Sequence, residues 1–170
     1  MKIGLITAGS DSPGVNAAIR GFGKAAASLK DIEIIGFRDG FSGLVQNRTK
    51  DLLTEGVLSG ILTEGGTILG TSLQVPFAMK EGDEKVDRTQ EAVDAYKQNK
   101  LDALVCIGDK SSQMAAYKLS QAGLNSLVCR ARRKMMFLAR INVLALIALA
   151  KLPPRLSTAF TPPPMQPTAS

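Results

Sequence analysis

The chain has 170 residues and a formal net charge of +6, with 45% hydrophobic residues, two cysteines and no histidine. This length suits one ordinary domain or part of a larger one, and the missing histidines argue against a zinc site or a His-based catalytic triad. The excess positive charge lies in residues 129–170, which contain seven Lys or Arg and no acidic residue. The rest of the chain has 14 basic and 15 acidic residues and is therefore close to neutral. We therefore expect no nucleic-acid partner.

Short apolar runs alternate with helical spacing along residues 1–125, which predicts repeated βα units. Strands are predicted at 2–7, 31–37 and 103–107, and helices at 15–29, 84–99 and 112–122, with Gly123 as the last stop signal. The segment 39–47 carries turn signals, and the mixed spacing of 51–62 leaves its structure open. Strands that alternate with helices favour an α/β fold with a largely parallel sheet covered on both faces.

Three glycine-rich turns punctuate this pattern. We call them the first turn (9–14, GSDSPG), the second turn (65–72, GGTILGTS) and the third turn (108–112, GDKSS). The first and third follow predicted strands, at the edge where parallel sheets bind ligands. Small residues let the backbone approach a ligand closely, and the N–H groups at a helix N-terminus favour an anion. Together the turns indicate a ligand rich in phosphate.

Each turn also has a purely structural interpretation. The first fits a βα loop with a proline near the helix start, and the second fits a flexible connection. In the third, Asp109, Ser111 or Ser112 fits the N-cap of the next helix. No Walker A sequence and no G-x-G-x-x-G after the first strand is present, which argues against the usual P-loop and dinucleotide sites.

Four ordered segments resemble signatures of the 6-phosphofructokinase family. They are TAGSDSPGVNAAIRG (7–21), FRDGFSGL (37–44), LTEGGTILGTS (62–72) and LDALVCIGDKSSQMAAYKLSQAGLN (101–125). The resemblance implies a three-layer, Rossmann-like α/β domain. It implies phosphoryl transfer from ATP or pyrophosphate, with Mg²⁺, to the 1-hydroxyl of fructose 6-phosphate. It also implies a homo-oligomeric glycolytic enzyme of the cytoplasm, which fits two unpaired cysteines and no signal peptide.

The resemblance places the phosphoryl donor against ten residues. These are Gly9, Ser10, Asp11, Leu73, Gln74, Gly108, Asp109, Lys110, Ser111 and Ser112. Ser10 replaces the family's second glycine, Leu73 replaces an arginine, and Lys110 stands at the usual metal-binding aspartate. Asp109, which aligns with a glycine, becomes the candidate Mg²⁺ ligand by a one-residue shift.

The family's next segment carries the catalytic aspartate and sugar-phosphate contacts, and no residue after Asn125 matches them. Synonymous codons can be chosen for this tail so that a shifted reading frame encodes a different sequence. From the codon of Met135 the shifted frame can read DVFGTDKRFGFDSA, and from that of Lys151 it can read IATEAIDRLHSTAHATNGI. Both resemble the family's continuation. We therefore hypothesise a frameshift between about residues 125 and 134. It divides the chain into a partial phosphofructokinase-like domain (1–128) and an aberrant tail (129–170) without a selected fold.

Three interpretations of the polypeptide follow. An active phosphotransferase is one, and a non-catalytic remnant that binds phosphate or nucleotide is another. A membrane-attached protein is the third, because residues 135–152 are strongly apolar, although they contain Arg140 and Lys151. The altered third turn and the missing catalytic segment favour the non-catalytic remnant as the description of this polypeptide. The resemblance favours a kinase as the protein that its gene encodes. We expect no membrane partner. The choice between ATP and pyrophosphate stays open.

Overall fold

A computed structural model describes residues 1–29 and 31–130. Its elements, in chain order, are β1 (Lys2–Ala8), α1 (Val15–Ala27), β2 (Glu33–Phe37), α2 (Gly40–Val45), β3 (Thr49–Asp51), a 3₁₀ turn (Pro76–Ala78), β4 (Met79–Glu81), β5 (Glu84–Val86), α3 (Thr89–Gln98), β6 (Ala103–Gly108), α4 (Lys110–Gln121) and β7 (Ser126–Arg130). The predicted aberrant tail, apart from its first two residues, lies outside these residues.

Five strands form one sheet in the order β3-β2-β1-β6-β7, and β4 and β5 form a separate antiparallel hairpin. The central strand β1 pairs in parallel with β2 and β6, so that Leu5 lies between Gly36 and Val105. β7 extends the sheet in parallel from β6, and only the edge strand β3 runs antiparallel. The largely parallel α/β sheet predicted from the sequence is confirmed.

Two apolar clusters, one on each face of the sheet, give the fold three layers. α1 covers the first face with side chains at helical spacing, among them Val15, Ile19 and Phe22. α2, α3 and α4 cover the second face, where they pack against Ile6, Phe37 and other strand residues. The two helices that follow the central strands β1 and β6 therefore lie on opposite sides of the sheet.

The two cysteines also separate onto these two faces. Cys106 on β6 belongs to the cluster under α4, and Cys129 on β7 belongs to the cluster under α1. Both are free thiols and both are buried. Desolvation by burial raises the pKa of Cys106 to about 12 and that of Cys129 to about 11. The sheet between the side chains keeps them apart.

Two local predictions were wrong. The segment 39–47 contains a helix, α2, because Phe41 and Leu44 lie three residues apart and bury together against the sheet. The helix predicted from residue 84 begins only at Thr89, where the Asp87 carboxylate accepts the Thr89 N–H at 2.8 Å. The residues before it form β5.

The strand β7 has no counterpart in the prediction. Leu127 and Cys129 are buried, whereas Val128 between them is 36% exposed, so the segment alternates as a half-covered strand does. The Ser126 hydroxyl donates to the carbonyl of Ala116 at 2.7 Å and fixes the start of the strand against α4.

Among the described residues, no helix is both long enough and apolar enough to cross a membrane. The apolar run 135–152, on which the membrane interpretation depended, lies outside them.

Candidate phosphate site at the carboxyl edge of the sheet

The crevice between β1 and β6 lies where the chain reverses its direction of winding. α1 follows β1 onto one face of the sheet, and α4 follows β6 onto the other. The two connecting loops therefore diverge, and they leave an opening at the carboxyl ends of the two strands. Ligands of open α/β sheets bind at this position. The first and third turns form its walls.

Backbone and hydroxyl groups hold the first turn against the second. The Gly9 N–H donates to the carbonyl of Ser72 at 2.9 Å, and the Thr71 hydroxyl donates to the carbonyl of Gly9 at 2.7 Å. The Thr7 hydroxyl adds a bond of 2.6 Å to the carbonyl of Gly70. Gly9 has φ +91°, a left-handed conformation that favours glycine. The second turn is thereby brought to the end of β1.

One buried amide anchors the other end of the second turn. Asn16, on the first turn of α1, is 4% exposed. Its Oδ1 accepts the Ile68 N–H at 2.9 Å, and its Nδ2 donates to the carbonyl of Glu64 at 3.3 Å. Both halves of the amide are used, so the segment 64–68 has a fixed position over α1.

The third turn is organised by the carboxylate of Asp109, the N-cap of α4. Asp109 Oδ1 accepts the backbone N–H of Ser111 at 3.0 Å and that of Ser112 at 3.2 Å. The same oxygen accepts the hydroxyls of Ser111 at 2.6 Å and Ser112 at 3.2 Å. Desolvation raises the pKa of this carboxyl, but the bonds from Ser111, Ser112 and Ser10 together outweigh it and lower the pKa below its usual value. The group is an anion at neutral pH.

The same carboxylate reaches across the crevice to the first turn. The Ser10 N–H donates to Asp109 Oδ2 in a long bond of 3.4 Å. A Cβ atom placed on Gly9 would lie 2.5 Å from Asp109 Oδ2, so the carboxylate rests on the bare glycine backbone. Residues 99 positions apart in the chain thus meet in the crevice.

Six of the ten predicted site residues meet here: Gly9, Ser10, Gly108, Asp109, Ser111 and Ser112. The other four lie elsewhere or face outward. Leu73 is 73% exposed, and Lys110 is exposed at the start of α4. Gln74 accepts the Lys80 N–H at 3.0 Å through Oε1 and so holds the hairpin. Asp11 lines a separate cavity of about 340 Å³ between the first and second turns, together with Asn16 and Glu64.

The residues that fix these turns were not predicted as site residues. Thr7, Thr71, Ser72 and Asn16 supply the bonds that hold the first two turns together. The available signal was the position of Thr7 at a strand end and of Thr71-Ser72 after Gly70. These positions do not predict which backbone carbonyl each hydroxyl group donates to.

An ATP phosphate with Mg²⁺, which the resemblance implies, does not fit this arrangement as it stands. The N–H groups of Ser111, Ser112 and Ser10, which a phosphate would need, already donate to Asp109. Within residues 1–29 and 31–130, no group of three or more His, Cys, Asp or Glu side chains is placed to hold a metal ion. Within these residues Asp109 therefore belongs to no such group, and the neighbouring Lys110 is exposed.

Comparisons with known proteins agree on a family. The family model for phosphofructokinase matches residues 2–147. An ATP-dependent 6-phosphofructokinase of Propionibacterium freudenreichii is 52% identical over 126 residues, which are 74% of this chain and 33% of that protein. The ATP-dependent 6-phosphofructokinase 3 of Bacteroides thetaiotaomicron is 41% identical over 127 residues, or 74% of this chain and 37% of that protein. The chain spans about a third of the length of the curated relatives it matches.

Solved structures give the same result for the fold. The phosphofructokinase of Pichia pastoris in its T-state superposes with a TM-score of 0.62 at 28% identity, over 76% of this chain and 14% of that one. A pyrophosphate-dependent phosphofructokinase of Nitrosospira multiformis shares the fold with a TM-score of 0.61 at 16% identity, over 71% of this chain and 29% of that one. The sequence signatures, the sheet topology and these matches lead to one conclusion: the chain belongs to the phosphofructokinase family.

Proposed function

We propose that this chain derives from an ATP-dependent 6-phosphofructokinase of glycolysis and forms the donor-side wall of its active site. The acceptor of such an enzyme is fructose 6-phosphate. The observation that carries the proposal is the meeting of the first, second and third turns at the carboxyl ends of β1 and β6. The choice of ATP over pyrophosphate is supported by the two curated relatives described above, which are both ATP-dependent.

We further propose that the 170-residue chain binds phosphate ligands weakly and does not transfer a phosphoryl group. Transfer requires a base for the sugar hydroxyl and cations that neutralise the moving phosphoryl group. By the resemblance, no residue after Asn125 matches the family's catalytic aspartate, and Leu73 and Lys110 stand where the family has an arginine and a metal-binding aspartate. The residues that are present can position a phosphate, but they lack the groups that would activate an acceptor.

The test uses the purified full chain. Consumption of ATP or of pyrophosphate is measured with and without fructose 6-phosphate, and binding of each donor is measured by calorimetry. We expect donor binding without any consumption that depends on fructose 6-phosphate. Turnover would refute the proposed inactivity, and the absence of binding by either donor would refute the proposed phosphate site.

The frameshift remains a prediction, and the strand β7 bears on where a change of frame would have to begin. The alternating burial of Leu127, Val128 and Cys129 is that of an ordinary sheet strand, which supports an unshifted frame through Cys129. A change of frame would then fall at about codons 130–134. The family match that extends to residue 147 favours an unshifted frame further along the chain. The nucleotide sequence of codons 120–140 distinguishes a change of frame at codons 130–134 from an unshifted frame that continues beyond them.

A further inference from the structure

We propose that the Asp109 carboxylate is an internal occupant of the crevice between the first and third turns, and that this residue sets the affinity of the site for phosphate. The inference rests on the proposed function, because it requires the crevice to be a phosphate site. It concerns a residue particular to this chain, since the resemblance places Asp109 at a position where the family has a glycine.

The first argument is the use of donors. A phosphate at the N-terminus of α4 binds through the unpaired N–H groups of the first helical turn. Here the N–H groups of Ser111 and Ser112 donate to Asp109 Oδ1, together with both serine hydroxyls. The Ser10 N–H on the opposite wall donates to Oδ2. The carboxylate thus takes the donors that an external anion would use on both walls.

The second argument is space and charge. The carboxylate lies over Gly9, at 2.5 Å from the place where a side chain there would begin. Gly9 has no side chain, so a phosphate could approach its backbone closely. The Asp109 carboxylate already occupies this space beside the Gly9 backbone. An entering phosphate would also meet a negative charge at contact distance in a partly desolvated site, where repulsion is stronger than in bulk water. Phosphate can bind only after the Asp109 side chain rotates away.

Two substitutions separate charge from occupancy. Asp109→Gly removes both and leaves the donors free. Asp109→Asn removes the charge but keeps the shape and the helix cap, because an asparagine oxygen also accepts N–H groups at an N-cap. Asp83→Asn removes the same charge in the exposed turn between β4 and β5, away from the crevice, and serves as the matched control.

The experiment measures binding of inorganic pyrophosphate to each full-length variant by calorimetry. We expect Asp109→Gly to bind about ten-fold more tightly than the parent chain or better, with Asp109→Asn between them and Asp83→Asn unchanged. Equal binding by the parent chain and both Asp109 variants would overturn the inference and leave the proposed phosphate site intact. Absence of binding in every variant would instead refute the phosphate site, and the role of Asp109 with it.

A second measurement needs no ligand. The amide resonance of Ser10 should move in both Asp109 variants and stay in place in Asp83→Asn, because that N–H donates to the Asp109 carboxylate across the crevice. A Ser10 resonance that stays in place in both Asp109 variants would overturn the inference whatever the calorimetry shows. Urea unfolding of each variant verifies that the chain is folded in these experiments.

Discussion

Replacing Gly108 by alanine tests the closest packing in the site. A Cβ atom there would lie 2.5 Å from the carbonyl oxygen of Ala8 and in contact with the Ser112 hydroxyl. Ala8 O belongs to the central strand, so it can move only by disturbing the pairing of β1 with β6. Overpacking against such a backbone atom costs about 2–3 kcal/mol of the free energy of unfolding.

Gly21→Ala is the matched control for this substitution. Gly21 lies on the exposed side of α1, where an added Cβ would meet no heavy atom within 4 Å. Alanine in a helix interior is more stable than glycine by about 0.5–1 kcal/mol. The same chemical change should therefore destabilise the chain at 108 and stabilise it at 21, with a difference of about 3 kcal/mol between the variants.

Urea unfolding of the full chain measures this difference. With a slope of about 2 kcal/mol per molar urea, the two unfolding midpoints should differ by about 1.5 M, with the parent chain between them. A Gly108→Ala variant whose midpoint equals or exceeds that of the parent would refute the reasoning, since β1, β6 and α4 would then leave room for a methyl group.

Three further predictions concern the buried thiols, the Asp87 carboxylate and the buried amide of Asn16. Burial raises the pKa of Cys106 to about 12 and of Cys129 to about 11, so neither thiol should react with a disulfide reagent until urea unfolds the chain; rapid reaction of the native chain would contradict this. Hydrogen bonds from the Thr89 hydroxyl and N–H lower the pKa of Asp87 in the folded chain. The ionised carboxylate therefore stabilises the fold above the unfolded-state pKa of about 3.9, and this stabilisation disappears as the pH falls through the folded-state pKa. Asp87→Ala should thus shift the urea midpoint downward at neutral pH and leave it unchanged in strong acid; an equal shift at both would contradict a stabilising role of the Asp87 carboxylate. Asn16→Ala should cost about 1–3 kcal/mol and speed proteolysis within the second turn, because two backbone groups lose their partner; unchanged proteolysis would show that the turn is held in another way.

The sequence predicted the framework of this fold better than its details. The apolar runs of β1 and β6 and the helical spacing of α1 and α4 were sufficient, because long buried elements carry strong periodicity. α2 was missed because its six residues include two glycines, which are typical of turns. The hairpin β4–β5 was missed because its three-residue strands are charged and mostly exposed, so they have no apolar pattern to detect.

The site was predicted to the level of its turns. Parallel strands bring their carboxyl ends to one edge, so the proximity of the first and third turns followed from the strands alone. The direction of the Asp109 side chain did not follow. Its sequence position fitted a helix cap, and the resemblance made it a candidate metal ligand. The distances to Ser10 and Ser112 show that it caps the helix and also closes the crevice.

The pairing of β1 with β6 makes this crevice a late product of folding. Ile3 lies opposite Ala103, so a loop of about a hundred residues must close before β1 and β6 can pair with each other, and closure of a loop of that length is slow. During synthesis the first turn emerges early but has no opposite wall until β6 and α4 have followed it. Until then one edge of the apolar strand β1 is open to other chains. Folding yield should therefore depend on how quickly residues 103–121 dock against β1.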